Sequence, residues 1–302
     1  MKRLILIFLL SAFSFQLFAQ SFYNRRIERQ WIASFGTGTA KYFGDLANPG
    51  ELFEGTRWNI EGGIERRIDG RFSTRASLTV FQLTGGDQFA DTQGRKTRNL
   101  NFTTTAFELA VTGTVQLFED GARYYQRKPI NFFLLAGIGA TWYVPKGLST
   151  NLYHDGSPNP SAGKMVALRK LETEQVSYSP VTVVVPLGAG AKIMATPFLN
   201  ITVSGAYRFT FTDYIDDVST VYPGIAAFED PLAAAMSDKR FEIEDGFVAE
   251  PGAKRGNPDN KDGYFILSIR ADYFLPPNIF TAKSRGSKPG KRSKYKNGRK
   301  RR

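Results

Sequence analysis

His154 is the one histidine in the chain, and Asp155 and Ser157 follow it closely. Those side-chain types are the ones a hydrolase or acyltransferase assembles into nucleophile, base and orienting acid. The spacing argues against that chemistry. Gly156 and Pro158 interrupt the segment, and neighbours along a loop do not converge as a triad does. An exposed loop histidine is expected instead. With no second base on offer, the chain reads as noncatalytic.

A second set is acidic. Asp213, Asp216 and Asp217 lie in TDYIDDVS (212–219), and Asp259 and Asp262 lie in GNPDNKDGY (256–264). If the fold brings both segments to one rim, a hard cation such as calcium could bridge them. The spacing matches no EF-hand, so a solvated acidic rim is the ordinary expectation. No phosphate-cradling loop, dinucleotide fingerprint or zinc pattern is present, and no cofactor or metal is expected.

A third set is basic. The chain ends with Lys283, Arg285, Lys288, Lys291, Arg292, Lys294, Lys296, Arg299, Lys300, Arg301 and Arg302, with no acid among them. These eleven residues and two cations near the start carry one charge more than the whole +12 formal charge, so the body between is close to neutral. Such an arm usually suggests nucleic acid. The other end of the chain points elsewhere. Residues 1–19, MKRLILIFLLSAFSFQLFA, carry Lys2 and Arg3, then an apolar run, then a small residue. That is the pattern of a secretory leader, too short to span a bilayer as a helix. An exported chain does not meet the chromosome, so nucleic acid is not the expected partner. There is no cysteine, so stability must come from packing or backbone closure rather than disulfides.

The elements that must position these groups are strands. In Asn200 to Phe211, Ile201, Val203, Tyr207, Phe209 and Phe211 share one face, and Thr202, Ser204, Arg208 and Thr210 share the other. The period is two, which is that of a strand. The same alternation predicts eight strands, at 30–41, 56–67, 71–83, 99–118, 130–144, 178–193, 198–214 and 262–275. Gly36 and Gly38 weaken the first, and Pro186 makes the sixth edge-like or bulged. Long and short connections alternate. Outer-membrane barrels have that asymmetry, with short periplasmic turns, long outer loops and both termini in the periplasm when the strand number is even. Trp31, Trp58, Phe118, Trp142, Tyr143, Tyr214, Tyr273 and Phe274 fall near strand ends, where aromatic girdles belong. A soluble β-sandwich is the rival, but it accounts for neither loop parity nor the aromatic positions.

The fold class is therefore all-β: an eight-stranded antiparallel outer-membrane barrel over 30–275, preceded by the leader 1–19 and a periplasmic segment 20–29, and followed by a basic periplasmic tail 276–302. If the more apolar faces meet lipid, Glu61, Glu65, Glu108 and Asp272 point inward with Arg75, Lys192, Arg208 and Arg270. A barrel of eight strands has room for side chains rather than a water column. A plugged interior held by ion pairs is expected, because a buried charge without a partner is strongly unfavourable. The tail would meet anionic lipid head groups, peptidoglycan carboxylates or an acidic protein. The turn EDGARYYQRKP (119–129), with Arg123, Arg127 and Lys128, is a second periplasmic docking candidate.

Several segments carry a family resemblance. Phe35 to Leu46 reads FGTGTAKYFGDL, Arg98-Asn99-Leu100 leads into Phe107-Glu108-Leu109, and TDYIDDVS and GNPDNKDGY flank the last long loop. Together, and in this order, they resemble the PorG-like outer-membrane barrel family of the type IX secretion system. The resemblance implies a noncatalytic barrel in the outer membrane with no active-site residues to carry over. It implies association with a periplasmic ring made of a lipoprotein and its partner, support of protein secretion and, in some bacteria, gliding motility. The basic extension is not part of that family core, and its contact with the ring is expected from charge and sidedness alone. A general structural or adhesive barrel, acting through outer loops 145–177 and 214–262, is the alternative.

Overall fold

The computed structural model describes residues 28–47, 55–90, 92–243 and 247–276. The leader 1–19, residues 20–27 and the basic arm from Lys283 to Arg302 lie outside the described residues. The described chain forms β1 (Trp31–Phe43), β2 (Arg57–Arg67), β3 (Phe72–Gly86), β4 (Asn101–Gln116), β5 (Ile130–Trp142), β6 (Lys146–Leu148), β7 (Met165–Ala167), β8 (Val181–Thr196), β9 (Leu199–Thr210) and β10 (Gly263–Phe274). Two short helices, α1 (Gln93–Arg98) and α2 (Pro231–Ser237), lie in the long connections.

Eight strands close on themselves. The ring runs β1, β2, β3, β4, β5, β8, β9, β10 and back to β1, every pair antiparallel. Closure leaves no strand edge unpaired, which is what lets a sheet sit in lipid. All eight segments expected from alternation are these strands. The β6–β7 hairpin, not anticipated from the sequence, hangs from the outer end of β4 through Thr103 and Lys146.

Two irregularities expected from the sequence resolve differently. Pro186 interrupts the β5–β8 ladder, because it has no N–H to donate, yet the register is unchanged on either side and Pro186 still faces Arg208 in β9. The strand is internal, not edge-like, and its register shift lies at Met194–Thr196 instead. Gly36 sits on the inward face of β1, where a Cβ would overlap the stem of Arg270. The glycine leaves room for a large interior cation rather than weakening the strand.

The faces are inverted relative to a soluble sandwich. Leu109, Leu134, Ile138 and Ile269 point outward with more than half of their surface open, as does Phe35, while inward Glu65 is 1% and Arg270 3% exposed. Outward Trp58, Phe118, Trp142 and Tyr273 stand at strand ends, and Trp142 packs on Phe107 with ring centres 5.6 Å apart. Tyr143 and Phe274, expected in the girdle, are instead 1% exposed. Each is one residue beyond an outward aromatic, and one step along a strand reverses the face. Tyr214 leaves the girdle too, stacking on Tyr178 in the outer loops.

The connections 68–71, 117–129 and 197–198 lie at the end that holds the start of β1 and the finish of β10. Connections 44–56, 87–100, 143–180 and 211–262 lie at the other. Strands of up to sixteen residues exceed what a bilayer needs. The long loops fold onto that excess as a cap.

Candidate functional site: a plugged lumen, a folded turn and a loop cap

The lumen is filled by charge. Glu61 receives Arg75 through Oε2 and Arg270 through Oε1, each at 3.5 Å. Arg270 also reaches Asp272 at 3.2 Å, and Arg208 lies 3.4 Å from Glu108. Lys192 meets Glu65 at 2.5 Å, and the same oxygen accepts from Ser73. The structure thus brings together the eight charged residues that alternation turned inward. The space beside Glu61, Arg75, Arg208 and Arg270 that is open to the centres of water molecules is about 30 Å³, enough for a few waters and far short of a channel.

At the end that holds the start of β1 and the finish of β10, the turn 117–129 does not hang free. Asp120 N–H donates to the Gly70 carbonyl, and Glu28 N–H donates to Ala122. Tyr124 stacks on Phe198 at 5.0 Å, with the Arg29 guanidinium against both rings. The turn therefore crosses the mouth. Of its three docking candidates, Arg123 and Lys128 face outward, but Arg127 is only 7% exposed. Arg127 reaches under the turn, donating to the Thr196 carbonyl at 3.0 Å and lying 4.0 Å from the Phe274 ring. It is a lumen residue, not a docking residue.

The outer cap is built around buried acids. Two carboxyls share one phenol: Tyr42 lies 2.6 Å from Asp216 and 2.5 Å from Asp262. One hydroxyl proton cannot serve two carboxylates, so a second proton belongs to the trio. The other oxygens are committed to backbone: Asp216 Oδ1 accepts from the Val218 N–H and Asp262 Oδ2 from the Ile215 N–H, while the Leu46 N–H joins Tyr42 on Asp216 Oδ2. Asp217, in the left-handed region at φ 70°, accepts from Thr173 and Tyr178. Asp213 accepts from Ser219, and Asp259 stays exposed. Among the described residues no carboxylates are arranged to hold a metal ion. The acidic segments meet, but as a hydrogen-bonded joint rather than a cation site or a solvated rim.

Two guanidiniums complete the cap. Arg98 grips buried Asp87 through Nε and Nη2 at 2.7 and 2.6 Å and donates to the Arg255 carbonyl. Arg255, 2% exposed, donates to Glu174 at 2.8 Å and to the carbonyls of Asp217 and Ser237. Glu174 in turn accepts from the backbone of Ser219 and Thr220. Sequence reasoning missed Glu174 and Arg255, because no local pattern marks two loop residues that meet only after folding. Arg98, Tyr42 and Asp45 stood in the segments that carry the family resemblance, and all three serve the cap.

His154 is half-buried rather than exposed. Its Nε2 lies 3.2 Å from the Ala234 carbonyl, and its ring packs on Phe241. Ser157 donates to Asp155, not to the histidine. The three residues form a turn and a packing contact, with no relay between them.

The closed ring, the outward aliphatic band and the charged plug decide the architecture together. The fold is that of an outer-membrane β-barrel. No family model and no curated protein matches the sequence. Similar solved barrels include Neisserial surface protein A, at 8% identity and a TM-score of 0.39 over 82% of this chain and 97% of that one. They also include the attachment invasion locus protein Ail of Yersinia pestis, at 9% identity and TM-score 0.37 over 80% and 96% of the two chains. A major outer membrane protein of Thermus thermophilus has 13% identity and TM-score 0.34 over 80% and 98%. Likenesses that low carry no functional weight, and the architecture rests on this barrel's own register and exposure.

The barrel's cap should respond to pH. Burial pushes Asp213 up to about 7 and Asp217 to about 6, the latter against the pull of Arg255. Burial also raises Asp216 and Asp262, which face each other, Tyr42 from β1, and Asp45 and Asp213 from the adjoining loops. Glu174 moves the opposite way, held down by Arg255 against its burial. A carboxyl whose folded value is raised takes up a proton on folding. Its contribution is full below the unfolded value near 4 and is lost as pH rises through the folded one. Each such proton makes cap opening about tenfold easier per pH unit in that window. Amide protection in 211–262, corrected for the intrinsic exchange rate, should therefore be higher at pH 5.5 than at pH 8, and Asp213→Asn should reduce the difference. Equal protection at both values would contradict the protonated joint.

Proposed function

We propose that this barrel is a noncatalytic outer-membrane component of a type IX protein secretion machinery, docking a periplasmic ring assembly and supporting secretion and gliding motility. The segments resembling the PorG-like family motivate the reading. The observation that carries it is the periplasmic turn. A plugged lumen conducts nothing, so the barrel's work lies at its faces. The turn 117–129 is folded across the mouth and presents Arg123, Tyr125 and Lys128 outward. A pre-ordered surface costs less to bind than a loose one. The basic arm 283–302, on the same reading, adds long-range attraction to an acidic ring surface.

Arg123→Glu combined with Lys128→Glu should reduce copurification of a periplasmic ring lipoprotein from outer membranes about tenfold or more, read by mass spectrometry. The amount of folded barrel should be unchanged. Deleting 283–302 should weaken recovery further. Undiminished recovery in both variants would remove the docking role. A second reading, an adhesive barrel, is favoured by Ile243, Phe247 and Val248, which stay exposed on the cap. On that reading Phe247→Ser abolishes surface binding, and the turn variants leave it intact.

A further inference from the structure

The interior charges do not balance at the periplasmic mouth. Arg75, Arg208 and Arg270 are matched by Glu61, Glu108 and Asp272. Nearer the mouth, Lys192, Arg67 and Arg127 are buried with only Glu65 and Asp120. One positive charge is left over among the buried groups, and the exposed Asp69, whose Oδ1 accepts from the Arg71 and Phe72 N–H groups, acts on Arg67 only from the turn 68–71. The excess charge is also badly satisfied. Arg67 is 2% exposed, and its single side-chain hydrogen bond among the described residues, from Nη2, goes to the Gly121 carbonyl at 3.1 Å. The Nε and Nη1 of Arg67 and the Nε and Nη1 of Arg127 find no hydrogen-bond partner among the described residues. Asp120, which attracts both guanidiniums, has its Oδ1 taken by the Lys128 N–H and the Asn131 amide. Burial pushes Arg127 down to about 10 against the pull of Asp120, and Arg67 beside it adds to the fall.

Four buried guanidinium donors with a net positive charge call for an anion. The terminal segments cannot supply it from their side chains: residues 1–27 and 277–302 contain no Asp or Glu. The acids of 48–54, Asp91 and 244–246 belong to connections at the opposite end of the barrel. We propose that Arg67 and Arg127 form a binding site for one small oxyanion, of the phosphate or carboxylate class, beneath the periplasmic turn. The planar fork of arginine suits either oxyanion, since two parallel N–H groups match two oxygens. Depth sets the size. Side chains 2% and 7% exposed beneath a folded turn shut out a polypeptide strand, so the proposed ion must be small. The bound ion would tie the turn to β2 and to the β8–β9 connection, fixing the surface on which Arg123 and Lys128 sit.

The full-length chain, purified in detergent and exchanged into chloride buffer, provides the test. Thermal unfolding is followed while sodium phosphate, sodium acetate or further sodium chloride is added at constant ionic strength. Phosphate should raise the midpoint saturably, acetate less so, and chloride not at all, because a ligand of the native state alone stabilises it by mass action. Calorimetric titration of the wild-type barrel with phosphate should give one site. Arg127→Gln and Arg67→Gln should each abolish the rise. Arg127→Lys keeps the charge, loses the fork and should weaken phosphate about tenfold, which tests the site even where the glutamine variants fail to fold. No rise with either oxyanion, a rise that chloride reproduces, or one that survives in Arg127→Lys undiminished would overturn the site and leave bridging water in its place.

Discussion

Glu61→Ala should cost the barrel about 3–5 kcal/mol, the largest loss expected from any single change in the lumen. Glu61 is 4% exposed and, among the described residues, the only lumen carboxylate that receives two arginines, Arg75 and Arg270. Removing it leaves two guanidiniums buried with one carboxylate, Asp272, between them. The penalty is the desolvation of uncompensated charge, far more than the loss of two contacts at 3.5 Å. A control separates these causes. Glu61→Leu combined with Arg75→Met removes one acid and one base together and leaves Arg270 paired with Asp272 at 3.2 Å, so it should recover part of the loss. The midpoint of thermal unfolding, read by circular dichroism or by the heat-dependent gel shift of a folded barrel, reports both. An unchanged midpoint in Glu61→Ala would mean the pairs are spectators held in place by the backbone.

That prediction rests on parity, and parity is what a strand sequence records best. A residue two positions from a known inward residue is inward, so Glu61 and Glu65, or Arg270 and Asp272, could be placed without coordinates. Arg67 obeys the same rule, two residues past Glu65, but it closes its strand, where alternation alone does not separate lumen from rim. Arg127 failed for a different reason. A charged turn reads as exposed unless something folds it inward, and the things that do, Tyr124 on Phe198 and the hydrogen bonds to the Gly70 carbonyl and from the Glu28 N–H, are contacts between segments far apart in sequence. The cap was legible only as a list of acids. TDYIDDVS announces carboxylates, and nothing local says that Asp216 and Asp262 share Tyr42 or that Asp217 faces Arg255. The one loop helix with a readable signal is α2, where Asp230 caps the first turn and Pro231 opens it.

Arg255→Ala should open the cap and leave the barrel standing. Arg255 is the hub between the loop carrying Glu174 and the loop carrying Asp217 and Ser237, and it is 2% exposed. Without it, two carboxylates stay buried with no cation beside them, a loss of about 3–5 kcal/mol confined to the loops. Protease should then cut within 145–177 and 211–262 at low concentrations that leave the wild-type cap whole. The thermal midpoint of the strands should move little, because no strand loses a backbone partner. The defect should also depend on pH in a definite direction. Arg255 is what holds the Asp217 and Glu174 carboxyls down against their burial. In its absence both rise, folding takes up protons, and the variant cap is stabilised as pH falls. Arg255→Ala should thus be most open near pH 8 and regain protection near pH 5. Simultaneous loss of cap and barrel would instead show that the outer loops and the strands unfold as one unit, with the cap carrying part of the barrel's own stability.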